Sequence, residues 1–260
     1  MRVSALHEDV LVARSQYWQT NCVVVRGGGE DGDAGAEGVT LMIDSPVLPQ
    51  ELEVLPALLE QSGFVPLSGL LATHGDWDHL LGRLAFPDAA LGVAETTAAR
   101  LKGDMGDPQR GLRDFDERTY QQRPRPLNLG QVQALPVPGH LDVGNGHELE
   151  LHYTEGHTVD GMAIWAPWAR VLVVGDYLSP VEIPMIVDRG AYHATLERLR
   201  PLVEAADHVV PGHGDVLDPA RAMAILREDL AYVQDLKLPL ARRDAEQRRI
   251  DAANRERLGL

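Results

Sequence analysis

The apolar positions of this chain fall into short runs rather than long periodic stretches. Val10 to Ala13, Cys22 to Arg26 and Val39 to Ile43 read as β-strands in the first third of the chain. The Gly/Asp/Glu-rich stretch Gly27 to Gly38 between the last two reads as a hairpin loop. From Pro49 to Gln61 the period changes: Leu52, Leu55 and Leu59 share one side of a helix, Gly63 supplies its stop, and Pro56 should kink or restart it. Gly69 to Ala72 is a short apolar strand, followed by a short helix from Asp78, a strand near Ala90 to Val93 and a helix around Thr96 to Lys102. The polar section Gly103 to Gly130, with Pro108, Pro124 and Pro126, is expected to be a mobile cover of a site.

Strands resume at Val132 to Val137, Leu149 to Tyr153, Met162 to Trp165 and Val171 to Val174, and VLVVGD is the clearest buried strand. A helix from about Ala191 to Ala205 precedes a strand at His208 to Val210. Asp218 then reads as an N-cap with Pro219 in the first helical turn, and Met223, Leu226, Leu230 and Val233 continue that helix until Pro239. The tail Ala241 to Arg257, rich in arginine and acids, is expected to be a solvated terminal helix. Strands early and late with helices between predict an α+β fold of two sheets, each covered by helices, in one domain spanning 1–260 with a helical tail over about 241–260.

Charge narrows the partners. Twenty-four basic against 39 acidic residues leave −15, a surface that repels phosphate backbones and anionic lipids, so no nucleic-acid or membrane partner is expected. The lone Cys22 cannot form an internal disulfide, and the first residues, MRVSALHEDV, lack the apolar core of a secretory signal. A cytoplasmic protein acting on a small molecule is the expectation; the oligomeric state is open, with a homodimer among the options.

Four stretches place metal-binding side chains in glycine-containing turns directly after apolar strands: THGDWDH at 73–79, TEGHT at 154–158, VVGD at 173–176 and PGHG at 211–214. Imidazole nitrogen and carboxylate oxygen are the donors a zinc-like ion prefers, and loops at strand ends let distant residues converge. His74, Asp76, Asp78 and His79 crowd one loop and have no packing role to explain them. His157 is chosen over His140 of PGH 138–140 because it follows a strand and precedes the two strands leading to Asp176. His213 sits between two glycines that permit close backbone approach. His7, His147, His152 and His208 read as ordinary surface histidines, and Trp77 as a packing anchor.

This set resembles the metallo-β-lactamase superfamily, in which an HxHxDH loop, a later His, a later Asp and a final His hold one or two metal ions in a four-layer αβ/βα sandwich. The resemblance spans nearly the whole chain; Asn21 and Asp44 also fall where that family's N-terminal hairpin and helix-preceding Asp are expected. It implies that His74 and His157 bind a first metal, that Asp78, His79 and His213 bind a second, and that Asp176 bridges them. Two divalent ions follow, zinc by default and iron or manganese as alternatives. The departure is Asp76, where the family has His: the shorter side chain would bind through a shifted metal, through water, or not at all. With Asp76 the ligands carry three negative charges against four positive ones, which favours harder ions more than the usual set does.

The section from Tyr192 to PGHG resembles the glyoxalase II-like branch, which implies hydrolysis of a small ester, thioester or lactone. Asp78 and Asp176 would orient the attacking water and take up its proton. By position after the GD strand, Tyr192 and His193 are expected to contact substrate or leaving group. The competing reading is a mononuclear iron oxygenase of the persulfide dioxygenase kind on His74, His157 and Asp176.

Overall fold

The computed structural model describes residues 1–27, 38–236, 242 and 245–260. Seven strands form the first sheet in chain order: β1 (Arg2–His7), β2 (Val10–Arg14), β3 (Asn21–Arg26), β4 (Thr40–Ile43), β5 (Gly69–Ala72), β6 (Leu91–Ala94) and β7 (Val132–Leu135). The first four pair antiparallel, and from β4 onward the pairing is parallel. The second sheet holds β8 (Gly139–Gly144), β9 (His147–Tyr153), β10 (Met162–Ala166), β11 (Val171–Val173) and β12 (His208–Val210) in the order β12-β11-β10-β9-β8, with only β11 and β12 parallel.

Both faces of the central strands are buried, which is why those strands read as apolar runs rather than as alternation. Val10, Val12, Val23, Val25, Leu41 and Ile43 point inward against Leu149, Leu151, Ile164, Val171 and Val173 of the second sheet. Their neighbours Leu11, Ala13, Cys22, Val24 and Met42 face outward onto helices α1 (Pro49–Gln61), α3 (Glu95–Gly103) and α4 (Asp107–Thr119), with the short α2 (Gly82–Ala85) between α1 and α3 in the chain. On the far side Ala163, Trp165, Leu172 and Val209 pack under α5 (Arg189–Ala205) and α6 (Pro219–Gln234). The result is the expected four-layer α+β sandwich of helices, sheet, sheet and helices.

Several expectations need correction. The section 103–130 is not a mobile cover over its whole length: α4 occupies its centre, with Leu112 and Phe115 buried one turn apart. Pro108, one of the prolines of that section, lies in the first turn of that helix, where its missing N–H costs nothing. Helix α1 runs through Pro56 without restarting, because Leu52, Leu55 and Leu59 on either side of it are buried in one core. Strands β1 and β8 went unread because both lie at sheet edges with mostly exposed or half-buried side chains. The helix expected from Asp78 is a 3₁₀ turn over Trp77–His79 followed by α2.

At the C-terminal side, α6 ends at Gln234. Pro239, expected to stop it, lies outside the described residues, as do most of the Gly27 to Gly38 hairpin loop and part of the tail expected from Ala241. The antiparallel pairing of β3 with β4 is the one that hairpin calls for. Helix α7 (Ala245–Arg257) is not a solvated appendage: Gln247 and Asn254 are buried and accept hydrogen bonds from the backbone N–H groups of Ile183 and Ile186. Among the described residues no helix is long and apolar enough to cross a membrane.

Candidate metal centre

The loops that leave β5, β9, β11 and β12 meet at one edge of the sandwich. Gly212 decides how closely they meet: its backbone N–H donates to the Gly175 carbonyl at 2.6 Å, and a Cβ there would lie 2.0 Å from Asp176 Oδ1. Only glycine lets the chain carrying His213 pass the Asp176 carboxylate. Asn21 pins the same loop to the first sheet, donating through Nδ2 to the carbonyls of Pro211 and Gly214.

All seven predicted ligands come together. Asp176 Oδ2 lies 3.3 Å from His157 Nε2 and 3.7 Å from His74 Nε2, while Asp76 Oδ2 lies 3.9 and 3.6 Å from the same two nitrogens. The other oxygen of Asp176, Oδ1, lies 3.2 Å from His79 Nε2 and 3.4 Å from His213 Nε2. Asp78 Oδ2 completes that second group at 3.7 and 3.5 Å from the same nitrogens. One carboxylate therefore faces two pockets, one oxygen to each.

These spacings bracket the about 3.4 Å expected between neighbouring donors of a tetrahedral ion with bonds near 2.1 Å. The Nε2 atoms of His74, His79 and His157 and the Oδ1 of Asp176 are buried without a hydrogen-bond partner. Each such group costs on the order of 1–3 kcal/mol if left unpaired. Four of them aimed into one hollow fit metal binding and have no other use in the fold.

The far side of each imidazole is held. Thr73 Oγ1 lies 3.1 Å from His74 Nδ1, the Met185 carbonyl 3.3 Å from His157 Nδ1, and the Trp18 carbonyl 3.1 Å from His213 Nδ1. Asp44 Oδ2 stands 3.0 Å from His79 Nδ1, an ion-pair contact without hydrogen-bond geometry, and the same carboxylate accepts from the Thr73 backbone N–H and hydroxyl. Asp44 adopts φ +56°, a left-handed conformation that Asp tolerates better than most residues. Such contacts fix the ring orientation and leave Nε2 as the donor.

Electrostatics follow from the crowding. Burial opposes the charge of Asp176, but His213, His79 and His74 outweigh it and hold the carboxyl well below the usual range. Burial alone would lower His213; Asp176 and Glu182 instead push it up to about 10. His79 and His157 are raised against burial in the same way, His79 chiefly by Asp176 and Asp44, His157 chiefly by the Asp176 carboxylate that faces it. In the absence of ions, protons occupy the place of metal.

Sequence reasoning missed what surrounds this centre. Arg100 on α3 donates to Asp76 Oδ1 at 2.6 Å and to the fully buried Asp160 at 2.8 Å. Ser179 donates to the His213 carbonyl, and Glu182, half-buried, feels His213, Asp176 and Asp78. The signal for Arg100 was an acid where the family has imidazole, a charge that calls for a cation.

One expectation fails. Tyr192 is 1% exposed in the core, its ring 4.6 Å from that of Tyr177, so it cannot touch a substrate. His193 lies beside Gln234 of α6, 3.4 Å from its amide nitrogen. Helix α5 turns Tyr192 toward the sheet and thereby turns His193, one residue on, along its flank. His140 sits exposed on edge strand β8 beside Glu148, away from the ligand set, as the preference for His157 required. Trp77 is a packing anchor as expected, its ring 4.9 Å from Phe115 and against Gly111.

Residues 16–234 match the family model of the metallo-beta-lactamase superfamily. The chain belongs to that superfamily. A metallo-beta-lactamase type 2 of Bacteroides fragilis is 32% identical over 101 residues, 34% of this chain and 41% of that protein. A beta-lactamase-like protein 2 homolog of Caenorhabditis elegans is 24% identical over 185 residues, 71% of this chain and 54% of that one. The chain thus spans about half the length, or less, of these curated relatives. Among superfamily structures, a metallo-beta-lactamase from Pontibacter korlensis superposes with a TM-score of 0.63 at 17% identity, covering 90% of this chain and 99% of that one. That likeness establishes the fold alone.

Proposed function

We propose that the chain is a metal-dependent hydrolase of a small neutral ester, thioester or lactone. The observation that carries this reading is Asp176, whose two oxygens each face a separate His/Asp pocket. When bound, two divalent ions would make a nucleophile of water near neutral pH and polarise the scissile carbonyl. Zinc is the default, with manganese or iron favoured more than usual by the three carboxylates.

The chain's own residues supply the rest. Asp176 stands between the two imidazole groups and Asp78 beside it in the second, where they can orient a water and accept its proton. Arg100 is the cation paired to the centre, and it is engaged by Asp76, Asp160 and, at 3.6 Å, Asp107. The ligand carboxylates are offset by the ions they would hold, so it is the −15 on the chain as a whole that discourages the approach of an anionic substrate. Trp18, 42% exposed and adjoining Trp77, offers an apolar surface beside the loops. These features favour an uncharged ester, thioester or lactone with an apolar group over a carboxylate-bearing β-lactam.

A mononuclear iron oxygenase on His74, His157 and Asp176 is the competing reading, but it leaves the pocket of Asp78, His79 and His213 without use. The test is metal analysis on protein purified without added ions, with ester, thioester, lactone and β-lactam hydrolysis assayed alongside O₂ consumption on thiols. Two ions and cleavage of neutral acyl substrates without oxygen uptake are expected. One iron per chain with oxygen uptake would overturn the hydrolase.

A further inference from the structure

We propose that Arg100 is a positioning residue that makes Asp76 a one-oxygen ligand of the first pocket, and so makes the replacement of imidazole by carboxylate workable. This rests on the two-pocket reading above. The Arg100 guanidinium spans two carboxylates, Nη2 on Asp76 Oδ1 at 2.6 Å and Nη1 on Asp160 Oδ1 at 2.8 Å. Asp160 is 0% exposed, and its other oxygen accepts the Gly75 backbone N–H at 2.9 Å. The clamp is thus anchored to the backbone of the same loop that presents His74 and Asp76. It is also tight: a Cβ on Gly75 would lie 3.1 Å from Asp160 Oδ2 and 3.4 Å from Arg100.

Occupying Oδ1 leaves Oδ2 as the oxygen facing His74 Nε2 and His157 Nε2. An Asp side chain is shorter than imidazole and rotates freely about its terminal bond, so without a partner it would point either oxygen, or neither, into the pocket. A fixed guanidinium removes that freedom through a charge-assisted hydrogen bond. Arg100 and Asp160 cancel in charge, so the ligand count stays at three negatives; what the pair changes is the direction and donor strength of one carboxylate. Such outer partners typically change metal affinity by about 10–100-fold.

The obvious variant, Arg100→Ala, would leave Asp160 buried and unpaired and could unfold the loop. Arg100→Met combined with Asp160→Asn removes both charges and keeps an acceptor for Gly75. Wild type, this double variant and Arg100→Lys are stripped with chelator and titrated with Zn²⁺ against a competing chelator. Ions per chain are counted by elemental analysis, and folding is checked by circular dichroism. One ion of the folded double variant should bind as in wild type while the other weakens about tenfold or more, with partial rescue in Arg100→Lys. Adding Asp76→Asn should weaken the wild type in the same way but change the double variant little. A folded double variant that binds its ions as tightly as wild type overturns the proposal. A wild type that takes up no ion refutes instead the two-pocket reading beneath it.

Discussion

Asp44→Asn separates the acceptor chemistry beside His79 from the shape of the loop. The backbone at 44 is left-handed, a conformation Asn tolerates as well as Asp does, so the substitution does not strain the chain. Asp44 accepts from Thr73 N at 2.8 Å through Oδ1 and from Thr73 Oγ1 at 2.9 Å through Oδ2, and Oδ2 also stands 3.0 Å from His79 Nδ1. An amide has one oxygen for these three contacts. Whichever way it is turned, its NH₂ group confronts donors inside a site where residue 44 is 3% exposed. Hydrogen bonds to a charged group are worth about 1.5–3 kcal/mol. Losing at least one should lower the unfolding free energy of the metal-free protein by about that much. With its orienting carboxylate gone, His79 should bind its ion about 10–100-fold more weakly, or about 1.4–2.7 kcal/mol. Urea denaturation of stripped protein and chelator competition for Zn²⁺ read the two effects separately. Unchanged urea midpoint and zinc affinity would refute the view that Asp44 holds His79 in place.

Other consequences are as direct. His79→Ala removes the shared imidazole of the second pocket and should abolish one of two bound ions and most hydrolysis; full turnover would show that pocket to be idle. Metal-free protein should be most stable between about pH 4 and 6.5. His213, His79 and His157 have raised pKa values, so the stability they contribute is fully present below about 6.5 and is lost as pH climbs, for His213 through about 10. The lowered Asp176 and Asp76 contribute above about 4 and lose their contribution on acidification. Differential scanning calorimetry at pH 5 and pH 9 should find the stripped protein melting lower at pH 9, and a flat profile would contradict the burial of charged imidazoles. Zinc loading, which needs neutral rings, should release protons, measured as buffer-dependent heats in titration calorimetry. Asn254→Ala deletes an acceptor for Ile186 N and a donor to the Pro184 carbonyl, and should cost about 1–3 kcal/mol in urea unfolding. Because the carbonyl of the neighbouring Met185 orients His157, first-pocket affinity should fall too.

What could be read in the chain and what could not divide along a physical line. His74, Asp78, His79, His157, Asp176 and His213 were legible because each occupies a short polar motif at the end of an apolar strand, and a strand's end is a local property of sequence. The strands themselves were legible where both faces are buried, as in VLVVGD, and at the edges β7 and β12 were read too, but not β1 and β8, whose side chains are mostly exposed or half-buried. Helix α4 was lost because the section 103–130 is polar and holds three prolines; Pro108 fits a first turn, and Leu112 with Phe115 three residues later is the apolar signal of a helix. Tyr192 and His193 were chosen by distance along the chain, which says nothing about which face of α5 meets the sheet.

Arg100 is the instructive omission. Nothing local marks it, since its helix carries charges at several positions and its partner Asp160 lies sixty residues on. Its role depends on β6 pairing beside β5 in parallel, which brings the helix after β6 to the loop after β5. Had the parallel order been assumed from the alternation of short strands and helices between 40 and 103, the acid at 76 would have required a cation from the adjoining strand's helix. Arg100 and Lys102 were the candidates near its end. An unexpected charge in a ligand motif is therefore a constraint on topology as well as a question about the metal: it must be answered by a neighbour, and the sheet order says which neighbours exist.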